Sequence, residues 1–186
     1  MNPSTDRELL KRYLGGDVSA FEEILNRHEK LLLRYVARHR RGARGGAQES
    51  ARDIVQEVFL RLVREAAKLE AVENLSAWLY RVARNLAIDE ARKEIRMEKH
   101  LRLQAEARAS GPPPSVEENR EIAEIVTEKL LGLPAHQRDV LILKLQEGKT
   151  YREIADITGL STSNVGYLIH CGLKALAGDL RTAGIV

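Results

Sequence analysis

Thr162, Ser163, Asn164, Tyr167, His170 and Lys174 follow one another at helical spacing, and their hydroxyl, amide, imidazole and ammonium groups form the hydrogen bonds that read base edges and grip phosphates. The stretch that carries them, Thr150 to Leu176, has the pattern of a helix-turn-helix. Ile154, Ala155 and Ile157 give a short first helix its apolar side. Gly159 can take the left-handed conformation that ends it, and Ser161 can cap the next. Val165, Leu168, Ile169, Leu173 and Leu176 then leave the second helix one face to bury. Its outer face is poor in charge. From Thr162 to Gly178 the only Lys or Arg is Lys174, whereas a helix that enters a major groove normally carries several.

Two other sets of polar residues sit on amphipathic stretches. Between about Ser50 and Lys68, Ile54, Val55, Val58, Phe59, Leu62 and Val63 share one side, which leaves Asp53, Gln56, Glu57, Arg61 and Arg64 on the other. Between about Leu75 and His100, Trp78, Leu79, Val82, Leu86 and Ile88 turn inward over the first half. Arg81, Arg84, Asn85, Asp89, Arg92, Lys93 and Arg96 lie on the less apolar side, where guanidinium groups suit phosphates and an amide suits a base edge. Taken without context, both faces are equally those of solvated surface helices.

Catalysis and metal binding find no such support. The chain holds no Gly-rich phosphate loop, no Cys/His spacing for a metal and no Ser/His/Asp order in a strand-turn-helix context, so neither enzyme activity nor a cofactor is expected. Its five histidines are scattered and read as neutral surface or boundary residues, and Cys171 reads as a buried core thiol. No run approaches the roughly eighteen apolar residues of a membrane span, and the polar start lacks a signal-peptide core. A cytoplasmic protein without membrane insertion is the expectation.

The elements that must position these residues are helical. Low aromatic content, 4%, and the absence of alternating Val/Ile/Thr runs argue for an all-α chain, and 44% hydrophobic residues suffice for one or two small cores in 186 residues. Residues 1–100 predict four helices, enough for a compact bundle. Ser19 is the expected cap of the second, with Glu22 as its capping-box partner, and the Gly- and Arg-rich stretch from Arg40 is a loop before the third. Residues 101–118 lose apolar periodicity and include Pro112, Pro113 and Pro114, so they read as a stiff linker that holds the two helical domains apart. Residues 119–186 predict two helices, the second running from Pro134 to Gly148, and then the helix-turn-helix. No further domain is expected after the apolar pattern ends at Leu176. The net charge of +3 is uneven: residues 1–100 hold 20 Lys and Arg against 16 Asp and Glu, and residues 101–186 hold 10 against 11. The amino-terminal half is therefore expected to carry much of any phosphate contact.

Three segments resemble the extracytoplasmic-function group of the sigma-70 family. Asp53-Ile-Val-Gln-Glu-Val-Phe-Leu-Arg-Leu is similar to the family's "D-L-V-Q-E-V-F-L-R" helix, and Ala77-Trp-Leu-Tyr-Arg-Val-Ala-Arg-Asn-Leu-Ala-Ile-Asp to its "A-W-L-Y-R-I-A-R-N-L-A-I-D" helix. Leu133-Pro-Ala-His-Gln-Arg-Asp-Val-Leu followed by Tyr151-Arg-Glu-Ile-Ala resembles its sigma-4 domain. The resemblance implies a sigma-2 bundle over residues 1–100, the linker, and a sigma-4 helix-turn-helix domain over residues 119–186. It implies a dissociable subunit that directs core RNA polymerase to promoters. Asp53, Gln56, Glu57 and Arg61 would dock on the clamp helices of the largest subunit, with the flap of the second-largest subunit a further partner. Arg81, Arg84, Asn85, Asp89, Arg92, Lys93 and Arg96 would recognise and open the -10 element, catching an exposed base to offset the cost of unpairing. Thr162, Ser163, Asn164, Tyr167, His170 and Lys174 would face the -35 element.

The second helix of the motif departs from the family pattern "S-x-x-T-V-K-S-R-L-H-R-A-R-K-A-L". Gly166, Leu168, Cys171 and Leu173 stand at its basic positions. Two readings are open: either the domain still reads DNA, with affinity supplied by tethering to polymerase, or its apolar residues bind a protein such as an anti-sigma factor. A helix-turn-helix repressor or a sigma-like adaptor that never starts transcripts are the alternatives to a working sigma factor. The repressor leaves the Asp53 and Asn85 helices unexplained.

Overall fold

The computed structural model describes residues 4–39, 47–105 and 122–182, and all regular structure among them is helical. Helices α1 (Asp6–Leu14), α2 (Val18–His39), α3 (Ala47–Leu69) and α4 (Leu75–Ala105) form the amino-terminal half. In the carboxy-terminal half α5 (Ile122–Gly132) and α6 (Ala135–Leu141) lead into a π-helical turn (Ile142–Gln146), which α7 (Tyr151–Thr158) and α8 (Thr162–Thr182) succeed. None of the described helices is long and apolar enough to cross a membrane. The basic loop expected at 40–46 and the prolines of the linker lie outside the described residues.

Local chemistry sets the helix starts. Thr5 and Glu8 form a reciprocal capping box at α1, and Thr150 and Glu153 repeat it at α7. At α2 the cap is Asp17 and not Ser19, because the Asp17 carboxylate accepts from both the Ser19 backbone N–H (3.1 Å) and the Ser19 hydroxyl (2.6 Å). An ionised acceptor outcompetes a hydroxyl for the free N–H groups at a helix start. Helix α1 is then pinned to α2 through Asp6, which accepts from Arg27 (2.7 Å) and lies 2.7 Å from His28 Nε2. Burial raises the Asp6 carboxyl, but His28 and Arg27 outweigh it and hold the group below the usual aspartate range.

The core of the amino-terminal half is built from Leu9, Leu10, Ile24, Leu32, Tyr35, Val58, Leu62 and Leu79, all with 2% exposure or less. Trp78 is buried as its apolar stripe implies, and Tyr80 is buried too. In the carboxy-terminal half Val140, Leu141, Leu143, Ile154, Ile157 and Val165 close the second part of the core. Gly159 takes φ 75°, the left-handed turn between α7 and α8 that a β-carbon would disfavour. Gly172 serves closeness and not turning: a β-carbon there would lie 2.8 Å from the fully buried Leu141 Cδ1.

The two halves are packed on each other, contrary to the expectation that the linker holds them apart. Helix α4 lies along α7. The ionic contacts that join the halves pair Arg34, Arg38 and Arg84 with Glu147 and Asp139.

Gly172→Ala should destabilise the protein by about 1–3 kcal/mol through overpacking against Leu141, a loss of several degrees in Tm by calorimetry. Gly178→Ala, on the same helix where a β-carbon meets nothing within 4 Å, should stabilise by about 0.5–1 kcal/mol. Equal effects from both variants would show that helix propensity, and not the α6–α8 approach, decides.

Candidate nucleic-acid interface

Helix α3 presents the first polar face as expected. Asp53 and Gln56 are exposed, and Glu57 is half-buried because it accepts from Arg61 Nε at 2.9 Å and pairs with Arg64 at 3.6 Å. Beside them runs a feature that periodicity missed: an apolar groove of about 480 Å³ between α2 and α3, lined by Phe21, Leu25, Leu33, Phe59, Leu60 and Val63, with Gln56 on its edge. Leu60 and Val63 are each 43% exposed. Val63, assigned to the buried side by its spacing, therefore stands on the rim.

Along α4 the structure brings six of the seven expected residues to the surface. Arg81, Asn85, Asp89, Arg92, Lys93 and Arg96 are exposed, and the pairs described among them are weak ones within the helix, such as Arg92–Asp89 at 3.6 Å and Lys93–Glu90 at 3.2 Å. Arg84 is the correction. Its Nε and Nη2 donate to Asp139 Oδ2 at 3.0 and 2.8 Å, and both side chains are nearly buried between the two halves. Its i+4 spacing from Tyr80 on the inward side shows why: the α4 face that turns toward the other half carries both.

A second carboxylate lies in the same interface. Glu147, whose side chain is 1% exposed, accepts from Arg34 (2.9 and 3.3 Å), Arg38 (3.0 Å) and the Tyr80 hydroxyl (2.9 Å). Lys149 completes the seam, donating to Ser76 Oγ at 2.9 Å with its ammonium 4.4 Å from the centre of the Tyr80 ring. Burial and the nearby Glu147 charge push the Tyr80 phenol well above its usual range, so it stays a donor. His39 is the neutral member. Burial drives its pKa down despite Asp139 at 3.4 Å, and its Nε2 makes no hydrogen bond. The His39 side chain is thus buried, where sequence reading places a surface or boundary residue, and His28 is buried at its place on the apolar stripe of α2.

Helix α8 exposes Thr162, Ser163, Asn164, Tyr167, His170 and Lys174 together. Ser161 caps it through the Asn164 backbone N–H at 3.2 Å, which leaves the Asn164 side chain on the first turn and outward. Cys171 is half-exposed and not a core thiol, and it interacts with the Tyr167 hydroxyl. Leu168 packs on the core, whereas Leu173 is 41% exposed. At Gly166, one of the lost basic positions, the Tyr151 ring closes in to 3.5 Å of where a β-carbon would be.

Known proteins share both halves of this arrangement. Residues 24–97 match the model of sigma-70 region 2, and residues 123–176 match that of sigma-70 region 4. The chain is 28% identical over 185 residues to the ECF RNA polymerase sigma factor SigW of Bacillus subtilis, covering 94% of this chain and 96% of that protein. It is 29% identical over 182 residues to the ECF RNA polymerase sigma factor SigF of Caulobacter vibrioides, with 95% and 94% covered. In fold it is similar to CnrH in complex with the cytosolic domain of CnrY (TM-score 0.70, 22% identity, 96% of this chain and 99% of that chain). It is likewise similar to RpoE in complex with the anti-sigma factor NepR from Bartonella quintana (TM-score 0.62, 20% identity, 87% and 96% covered).

Asp139→Asn leaves Arg84 without its anion, and Glu147→Gln does the same to Arg34 and Arg38. Either change should weaken closure of the halves by about 3 kcal/mol, and the double variant should show a larger radius of gyration in small-angle scattering. An unchanged radius would show that apolar packing alone holds the halves. For His39 the lowered pKa means that the open or unfolded chain binds the proton more readily. Stability is therefore full above pH 6.5 and falls as the pH drops below it, an acid loss that His39→Phe should reduce in thermal melts.

Proposed function

The chain belongs to the extracytoplasmic-function group of the sigma-70 family and directs core RNA polymerase to promoters to start transcription; from this premise we propose how its surfaces divide the work. The amino-terminal domain, residues 1–100, docks on polymerase and opens the -10 element. Residues 101–118 are the linker, and residues 119–186 engage the -35 element. A cytoplasmic, non-enzymatic protein is consistent with that role.

Core polymerase binds the α3 face. The apolar groove under Leu60 and Val63 supports this reading most, because exposed apolar area edged by Glu29, Arg52 and Gln56, on the helix that also carries Asp53, Glu57 and Arg61, has the anatomy of a protein interface. The clamp helices of the largest subunit are the partner at this face, and the flap of the second-largest subunit is a partner of the carboxy-terminal domain. On α4, Asn85 contacts an unpaired base of the -10 element while Arg81, Arg92, Lys93 and Arg96 hold phosphates; Asp89 orients Arg92. Arg84 joins them only when the halves separate.

Asn164 and Lys174, with Thr162, Ser163, Tyr167 and His170 around them, read the -35 element from α8. One exposed cation between Thr162 and Gly178 gives little phosphate affinity, so tethering through polymerase supplies the rest. A second reading is favoured by Leu173 and Tyr167, which stand exposed on the same helix: this surface also takes an anti-sigma factor.

Copurification with core polymerase and run-off transcription test the whole reading, and a protein that binds core without starting transcripts would be an adaptor. Charge reversal at Asp53 and Glu57 together should weaken core binding about tenfold, measured by fluorescence anisotropy. Asn164→Ala with Lys174→Ala should erase upstream protection in footprints of the holoenzyme; protection that survives would reassign α8 to protein binding.

A further inference from the structure

Arg34, Arg38, Tyr80 and Arg84 form one cationic and aromatic surface where α2 meets α4, yet each described ion pair they make is to a carboxylate of the other half. Arg34 and Arg38 lie one turn apart on α2 and Tyr80 and Arg84 one turn apart on α4, with the Tyr35 ring 5.1 Å from that of Tyr80. They enclose Glu147 and Asp139 so fully that the two carboxylates are 1% and 4% exposed. Guanidinium forks joined by a phenolic donor are the chemistry that holds phosphate oxygens as readily as carboxylates.

We propose that Arg34, Arg38, Tyr80 and Arg84 are a binding site for backbone phosphates of the promoter DNA, and that Glu147 and Asp139 occupy it in place of phosphates while the halves are closed. This rests on the reading of α4 as the -10 helix. Arg84 immediately precedes Asn85 and lies within one turn of Arg81 on the same helix, so a strand engaged by Asn85 passes close to these donors once they are uncovered. When the carboxy-terminal half swings away to reach the upstream element, four donors lose their anions together. DNA restores the charge balance, and the closed protein competes with DNA for the same groups. A free sigma factor is then kept off promoters by its own acidic residues.

The test exploits the opposite signs that the site demands. Probe binding is measured for the full chain alone, where the halves can close, and for holoenzyme assembled from it; the probe is a promoter fragment with a pre-opened -10 region and no upstream element. Glu147→Gln removes the competitor and keeps the cations, so probe binding by the free chain should tighten several-fold. Arg34→Gln with Arg38→Gln releases the same contact but removes phosphate partners. Binding should weaken several-fold, and the slope of log K against log salt should become shallower by about 1.5, at roughly 0.7 to 0.9 per contact. Arg34→Lys with Arg38→Lys should restore most of that slope. If both neutralising variants tighten binding alike with an unchanged slope, the contact is a closure device only and the site is wrong. A defect confined to core affinity, with normal probe binding once assembled, would mean that the arginines take a polymerase carboxylate, and also overturns it. Wild-type chain that failed to bind core would instead undo the functional reading beneath it. Circular dichroism of each variant separates these outcomes from misfolding.

Discussion

A carboxylate buried without a cation costs several kcal/mol, and the closed arrangement of this chain reflects that constraint applied twice. Asp139 and Glu147 belong to the carboxy-terminal half, but the charges that make their burial tolerable, Arg84, Arg34 and Arg38, belong to the amino-terminal half. Neither acid can stay dry unless the halves meet. Ion pairs of this kind add little net stability compared with apolar packing, but they are sharply selective for register, since a shift of a few ångströms leaves charges unmatched. They suit an interface that must form in one way and yet come apart. An apolar seam of the same area would close more firmly and reopen less readily, whereas charges released into water regain their hydration.

The same arrangement explains how a weakly basic reading helix fits a promoter-binding protein. From Thr162 to Gly178, α8 offers Lys174 and a row of neutral hydrogen-bonding groups, so its proposed contribution is discrimination more than grip. In the proposed division of work, affinity resides in the α3 surface and in the cations of α2 and α4. Four basic positions of the family pattern have become Gly166, Leu168, Cys171 and Leu173, and the structure uses two of them for packing: Leu168 joins the core, and Gly166 admits the Tyr151 ring. The charge was given up in part for a tighter junction between α7 and α8.

Much of this was legible in the sequence because it is encoded locally. Capping residues, the left-handed Gly159, the heptad-like spacing of apolar residues and the polar faces of α3 and α8 depend on neighbours within about one or two turns, and sequence reading recovers such patterns. The errors share a cause. Arg84 looked like its exposed neighbour Asn85, and His39 looked like a surface or boundary residue, while Asp139 and Glu147 drew no reading, because their partners lie 55 to 113 positions away. Periodicity is blind to pairing at that range. Val63 failed for a different reason: an apolar residue at the edge of a stripe is buried only if something covers it, and among the described residues nothing covers the α2–α3 groove.

The π-helical turn from Ile142 to Gln146 interrupts what sequence suggested was one helix running on to Gly148, and it holds one residue more per turn than its flanks expect. Each residue added to or removed from a helix rotates the downstream chain by about 100°. The turn therefore sets the azimuth at which Glu147 leaves the helix, while α7 and α8 are aimed separately by Gly148 and the Thr150 cap. Loss of a single residue there would carry Glu147 away from Arg34 and Arg38 without altering one side chain that faces DNA. Self-restraint and promoter choice are thus written in different stretches of the chain, and relatives could diverge in the strength of the first while keeping the second.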